Sequence, residues 1–307
     1  MKGEKLSARQ LAVAAMVGGL SSGAAAAGRS DWRWLLCSAA LGTAAGWLLL
    51  RRVGHRPLHP ALKALYGGWA VVLMAQALGR TAGRLQPAAE GNAVWLALLL
   101  ALPLAWMGWG KAGAFFRAVE VLWLAVLAAV AAILLLGLPR TNWAWALEPG
   151  GSWGGSLLAG VLPMSAGLYT LPHLYKVEEG AGAVRRGLVW LGALGVLCAG
   201  LTLLTAGLLS PAVAVQLDDP FFTAAGLLGD SARLEGLVSA LWLLPDLTWM
   251  GLLARSWGER RLPALAVLAA AGLALSGAAD AVTGDWAAAG CLGLAVLTAV
   301  LPPQWGK

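Results

Sequence analysis

Charged residues are scarce in this chain of 307 residues, since Asp, Glu, Lys and Arg together make up 12% of it. An ordinary globular domain has about 25% charged residues, so this composition excludes a soluble protein with a hydrated surface. Hydrophobic residues account for 59% of the sequence, and they form long continuous runs instead of the two-residue alternation of a β-barrel. We therefore expect an all-α membrane protein.

Histidine and cysteine are rare as well, with three residues of each. Cys37, Cys198 and Cys291 lie singly in apolar runs, and the histidines are too widely spaced for a metal cluster. No nucleophile stands beside a base, and the literal GxGxxG at 108–113 follows no predicted strand. We expect no catalytic residue, no metal site, no cofactor and no enzymatic activity.

The chain carries a net charge of +7, which in a soluble protein would suggest nucleic acid binding. Here the Lys and Arg residues cluster in short connections between apolar runs, where they set the orientation of membrane helices. The lipid bilayer is therefore the expected surrounding, and nucleic acid is not an expected partner.

Ten apolar runs have the length of a membrane-spanning helix, which is about 20 residues. They fill most of the chain, so we expect a single transmembrane domain over residues 1–307. We expect the first run to be retained as a membrane helix and not removed as a signal peptide. The expected spans are 8–27, 32–50, 61–82, 92–108, 114–138, 153–172, 187–209, 234–254, 262–279 and 284–301.

The distribution of basic residues predicts the orientation of these spans. If both termini are cytoplasmic, 16 of the 22 Lys and Arg residues fall on the cytoplasmic side, as the bias toward basic inner loops requires. The six outer ones are Arg29, Arg33, Arg80, Arg84, Arg140 and Arg233.

Ten spans divide into two groups of five, with repeat one at about 1–149 and repeat two at about 150–307. An odd number of spans makes the second repeat enter from the opposite side, so we expect a 5+5 inverted repeat similar to that of LeuT-like transporters. In that arrangement helices 1 and 6 are broken near the membrane centre. Both carry helix-weakening residues there, namely Gly18, Gly19, Ser21, Ser22 and Gly23 in helix 1 and Pro163, Met164, Ser165 and Gly167 in helix 6.

Broken helices leave main-chain N–H and C=O groups without partners in a solvent that offers none. A bound zwitterion such as an amino acid satisfies both kinds of group, so these nine residues are the predicted substrate-binding site. The alternative is that small residues there serve close helix packing, as Gly42 with Gly46 and Gly79 with Gly83 would.

Two acidic residues in predicted spans are further candidates, because charges at membrane depth are costly. Asp246 follows Pro245 near the middle of helix 8, close to the hydroxyl of Thr248. We expect it to carry a proton or to meet a substrate ammonium, or else to bond a neighbouring helix for structural reasons. Glu120 lies three residues after Arg117 in helix 5, a spacing that fits either a structural pair or a cytoplasmic gate.

Several short stretches, from residue 5 to about 254, follow the order and spacing of one known family. They are Lys5 to Leu11, Asp31-Trp32, Gly113 to Glu120 with Arg117 between them, and Asp219-Pro220 followed by Arg233-Leu234-Glu235 and Leu241-Trp242. They resemble the spore germination permeases, the B subunits of endospore germinant receptors within the amino acid–polyamine–organocation superfamily. The resemblance implies a ten-helix fold with a pocket between helices 1, 3, 6 and 8. It also implies an A subunit and a lipoprotein C subunit as partners, in the inner membrane of a spore-forming bacterium.

Three functions fit these observations. The first is the membrane subunit of a germinant receptor that binds a small solute, such as an amino acid, and signals to its partner subunits. The second is a proton-coupled amino acid transporter that uses the same pocket, and the third is a membrane scaffold that transports nothing.

Overall fold

The computed structural model describes residues 5–27, 30–53, 57–89, 92–150, 153–177, 181–228, 233–258, 261–282 and 284–301. Ten long helices coincide with the ten predicted apolar segments. They are α1 (Ala8–Ala26), α2 (Trp32–Val53), α3 (Pro60–Ala89), α4 (Ala93–Trp109), α5 (Ala112–Gly137), α7 (Trp153–Leu168), α8 (Ala181–Leu209), α11 (Arg233–Arg255), α12 (Arg261–Leu275) and α13 (Gly284–Val300). Three short helices, α6 (Trp143–Leu147), α9 (Pro211–Ala214) and α10 (Pro220–Gly226), lie in the connections, and 3-10 turns occupy Leu138–Arg140, Leu171–Lys176 and Ala278–Ala281.

Six of the long helices are long and apolar enough to cross a membrane by length and composition, and they correspond to α2, α3, α5, α7, α8 and α11. Three others, α4, α12 and α13, are apolar but shorter. The helix α1 has 19 residues, but Arg9, Gln10 and its glycines and serines lower its mean hydropathy. Large apolar side chains such as Leu102, Val121 and Leu135 are exposed on the outer surface, where a bilayer would cover them.

The helix α1 lies at the centre of the bundle and is buried along most of its length. It packs against α5, α7, α8 and α11. The helix α2 packs against α7 and α8, α3 against α11 and α12, α4 against α12, and α13 against α7. The buried core draws side chains from all ten long helices, so the site described below is held by elements from the whole sequence.

The predicted break in helix 1 is wrong, because the backbone is helical from Ala8 to Ala26. The glycines are points of close approach. A Cβ atom on Gly19 would lie 2.3 Å from Leu194 Cδ2 and 2.7 Å from the Pro163 oxygen, and one on Gly23 would lie 2.3 Å from Cys198 Sγ. A Cβ atom on Gly18 would be less crowded, at 3.3 Å from the Trp249 Cα atom. Small residues here let α7, α8 and α11 approach the α1 backbone, so they do not unwind it.

The predicted break at Pro163 to Gly167 is also wrong, because α7 continues through these residues to Leu168. The chain leaves α7 at Tyr169 and Thr170 and then forms the 3-10 turn Leu171–Lys176. Proline lacks one helical donor, but a single missing bond does not end a helix whose neighbours hold it in place. The helix α7 therefore is not broken within the predicted segment and ends one residue beyond it, at Leu168.

Candidate functional site

Asp246 is the centre of a buried polar cluster that joins three helices. Its side chain is buried within α11 and accepts hydrogen bonds from α1 and α3. Ser21 Oγ donates to Asp246 Oδ1 at 2.6 Å, Thr81 Oγ1 donates to Oδ2 at 3.2 Å, and Arg84 Nη2 lies 2.5 Å from Oδ2. All three neighbours are donors, so the arrangement fits an ionised carboxylate.

Arg84 reaches this cluster from α3, where it stands three residues after Thr81 and so shares its face. Its side chain is 9% exposed. The guanidinium Cζ atom lies 4.2 Å from the ring centroid of Phe222, a cation–π distance. Arg84 Nε has no hydrogen-bond partner among the described residues. One donor of the guanidinium is therefore not used in the described contacts.

The short helix α10 covers one side of the cluster. Its Phe222 ring packs edge-on against Trp242 of α11, with centroids 6.1 Å apart. Since Trp242 and Asp246 are four residues apart, they lie on the same face of α11. The helix α10 is thus positioned by aromatic packing on the face that carries the acid.

A small cavity of about 10 Å³ adjoins the ion pair, which is room for about one water molecule. Its walls include the four cluster residues together with Ala25, Ala77, Arg80, Asp219 and Phe222. The cavity as it stands therefore has no room for a solute larger than water.

The other predicted binding residues lie elsewhere. Met164, Ser165 and Gly167 line a separate cavity of about 330 Å³. Ser22 Oγ donates to Gly19 O within α1, while Gly18, Gly19, Gly23 and Pro163 take part in the helix contacts described above. The structure thus brings Ser21 and Asp246 together, and it does not bring Ser165 to them. Thr248, expected beside Asp246, donates to Leu244 O of its own helix instead.

Glu120 connects α5 to the start of α1. It lies 3.1 Å from Arg9 Nε and accepts a hydrogen bond from Gln10 Nε2 at 3.2 Å. Arg117, its expected partner, donates from Nε to Gly113 O. Ser7 and Gln10 form a capping box that begins α1, so the same residues cap this helix and tie it to α5.

Sequence reasoning missed Arg84 and Thr81. Arg84 was assigned to an outer connection because the predicted span ended at residue 82, whereas α3 continues to Ala89. The available signal was the pair Thr81 and Arg84 on one face of a helix that runs past the end of its apolar stretch. A charge at such a point lies either in a solvated loop or beside a buried group of opposite charge. Here that group is Asp246.

Neither a family model nor a curated protein matches this chain. The resemblance to the spore germination permeases therefore depends on the short stretches named above. Two of these stretches meet in space, since Gln10 of the first donates to Glu120 of the third.

Proposed function

We propose that this chain binds a small zwitterionic solute, such as an amino acid, at Arg84 and Asp246 and carries it across a membrane. The observation that supports this is the buried ion pair itself. Separating a buried pair leaves two unpaired charges, which costs several kcal/mol in a low-dielectric interior. A zwitterion avoids this cost because its carboxylate takes Arg84 and its ammonium takes Asp246. Ser21 and Thr81 then provide hydroxyl groups next to the ammonium.

The architecture proposed with this function is ten spans in two inverted repeats of five. Helix packing supports it, because each of spans one to four packs against the span five positions later: α1 with α7, α2 with α8, α3 with α11 and α4 with α12. The contacts of α1 with α5 and α8 also correspond to those of α7 with α13 and α2. If each span is replaced by its counterpart in the other repeat, the first set of contacts becomes the second, as expected of two related halves.

Two contacts, one beside the site and one at the start of α1, suit a carrier. Phe222 and Asp219 of the α10 segment cover the ion pair on one side. At the end where α1 begins, Glu120 holds Arg9 and Gln10. Alternating access needs a site whose two coverings open in turn. In the proposed orientation the α1 start is cytoplasmic, so α10 covers the site from the outer side and the Glu120 contact restrains the inner end of α1.

The membrane subunit of a germinant receptor is the second candidate. The contact between Gln10 and Glu120 favours it, since it joins two of the stretches that resemble that family. In this case the chain binds the same class of solute but passes the signal to an A subunit and a lipoprotein C subunit in the inner membrane of a spore-forming bacterium.

The test of binding uses ligand analogues, so it needs no variant protein. Purified full-length protein is titrated with a set of amino acids, and the best ligand is compared with its decarboxylated amine and its des-amino acid. We expect both single-charge analogues to bind at least about tenfold more weakly, since each leaves Arg84 or Asp246 unpaired. Equal binding of an analogue, or no binding of any amino acid, contradicts the proposal, and the latter favours a scaffold.

Uptake into proteoliposomes distinguishes the two candidates. A carrier moves labelled solute inward, faster with an inward proton gradient if a proton is coupled, and Arg84→Gln abolishes this uptake. A matched control is Arg33→Gln, since Arg33 is an exposed arginine paired at 3.9 Å with Asp31 away from the site. Binding without uptake supports the receptor subunit and overturns the carrier.

A further inference from the structure

The larger cavity, of about 330 Å³, lies between α1, α2, α7, α8 and α13 and is lined mainly by Leu, Ala and Gly. Its α2 wall follows one face of the helix, at Ser38, Leu41, Gly42, Ala45, Gly46 and Leu49. At 1.5 Å per residue this wall is about 17 Å long. One leaflet of a bilayer has a hydrocarbon depth of about 15 Å, so the cavity is an elongated slot of similar length.

The slot opens toward the outer surface of the bundle. Leu41 of α2 and Leu292 of α13 both line it, and they are 65% and 44% exposed. Around them α2 presents further exposed apolar side chains, including Leu36 and Leu48. In a membrane this surface faces lipid, so lipid reaches the slot directly.

The lining offers little to a polar solute. Three of its residues carry hydroxyl groups, and each donates to a main-chain oxygen: Ser38 to Leu157, Ser165 to Leu162 and Thr170 to Gly167. These donors are therefore already satisfied. An apolar occupant has no hydrogen bonds to lose on entering this slot, whereas a zwitterion would lose its hydration and gain no hydrogen bonds in exchange.

One end of the slot is basic. Arg52 follows Leu49 by three residues and so continues the face of α2 that lines the slot. The neighbouring Arg51 lies over the Trp47 ring, with its Cζ atom 4.4 Å from the ring centroid. Both arginines are exposed, and neither has an ion-pair partner among the described residues. Arginines at a helix end beside an apolar groove suit an anionic lipid headgroup.

We propose that this slot holds one acyl chain of an anionic phospholipid, whose phosphate is bound by Arg51 and Arg52. The chain fills the apolar wall from Leu49 toward Ser38, and the headgroup lies at the membrane surface where α2 ends. This site shares no lining residue with the cavity at Asp246, so it is independent of solute binding there.

The test uses purified full-length protein in detergent, with native mass spectrometry to count bound phosphatidylglycerol or phosphatidylcholine. We expect retention of one phosphatidylglycerol in preference to phosphatidylcholine. Ala45→Phe, which fills the slot, removes this lipid, whereas Ala40→Phe, at an exposed position of α2 that does not line the slot, keeps it. Equal lipid retention by both variants overturns the proposal.

A second variant leaves the slot intact. Arg51→Gln with Arg52→Gln removes the basic end, and we expect the preference for phosphatidylglycerol over phosphatidylcholine to fall at least fivefold. The matched control is Arg261→Gln, because Arg261 also lies over an exposed tryptophan, with Cζ 5.9 Å from the Trp109 ring. An unchanged preference in the double variant, or an equal loss in the control, refutes the assignment of the headgroup. Glycerol phosphate, which has no acyl chain, is expected not to compete; competition by it indicates a free phosphate site and overturns the acyl-chain proposal.

Discussion

Asp246 Oδ2 and Arg84 Nη2 lie 2.5 Å apart in the interior of the bundle, although 162 positions separate the two residues in sequence. The contact joins α3 to α11, and through Ser21 it also reaches α1. In a protein with so few charges, a buried pair of this kind holds three helices in register. It also brings both signs of charge together beside a small, nearly closed cavity.

The first prediction concerns the stability of this pair. Asp246→Asn or Arg84→Gln alone leaves one charge unpaired in the interior, and we expect each to lower the free energy of unfolding by about 3–5 kcal/mol. The double substitution Arg84→Gln with Asp246→Asn removes both charges and should cost much less than the sum of the single effects. Unfolding in mixed micelles measures these values. Additive single and double effects would show that the two side chains do not interact.

The second prediction separates two adjacent serines. Ser21→Ala removes the donor to Asp246 Oδ1. A hydrogen bond to a charged group contributes about 1.5–3 kcal/mol to the stability of the structure that contains it. Ser22→Ala removes only a bond to Gly19 O within the same helix, so it is the control. We expect Ser21→Ala to weaken amino acid binding about tenfold and Ser22→Ala to leave it nearly unchanged. The same titration of labelled solute measures both, and equal effects would remove Ser21 from the site.

Much of the helical layout could be predicted from the sequence, because hydropathy depends on local composition. The ten long helices coincide with the ten apolar runs, and Asp246 stood out because an acid inside an apolar run is costly. Its closeness to Ser21 was within reach for the same reason, since both are polar residues in the interior of predicted spans.

The rest could not be predicted because it depends on surfaces that only the fold brings together. Arg84 lies beyond the apolar part of its run, so its sequence context is that of a loop cation. Small residues such as Gly19 and Ser165 occur both where a helix unwinds and where two helices pack closely. The neighbours that distinguish these two cases, such as Leu194 beside Gly19, are distant in sequence. The pair Gly79 and Gly83 shows the opposite error, since added Cβ atoms there would meet nothing within 4 Å and the expected close packing is wrong.

The third prediction tests the packing role of Gly19. In Gly19→Ala the new methyl group must displace Leu194 and also meets the main-chain oxygen of Pro163 at 2.7 Å, which cannot move without moving α7. We expect a loss of about 1–3 kcal/mol in the free energy of unfolding, as for other overpacked cores. Gly83→Ala is the matched control in open space, and it should be neutral or stabilising by up to about 1 kcal/mol, because alanine favours a helix more than glycine does. Thermal unfolding of both variants checks this, and a neutral Gly19→Ala would show that α1 and α7 are not held as closely as described.

The fourth prediction asks whether the contact of Glu120 with α1 restrains motion or only adds stability. The Arg9 side chain is 62% exposed and that of Glu120 is 26% exposed, so the pair contributes less than about 1 kcal/mol to unfolding. If this contact restrains inner opening, Glu120→Gln and Arg9→Gln each speed solute exchange in proteoliposomes. The double variant is then no faster than either single variant, because the same contact is broken in all three. The change in rate should appear with little change in melting temperature. Rates that stay at the wild-type value, or that multiply in the double variant, would assign Glu120 a purely local role in anchoring the start of α1 to α5.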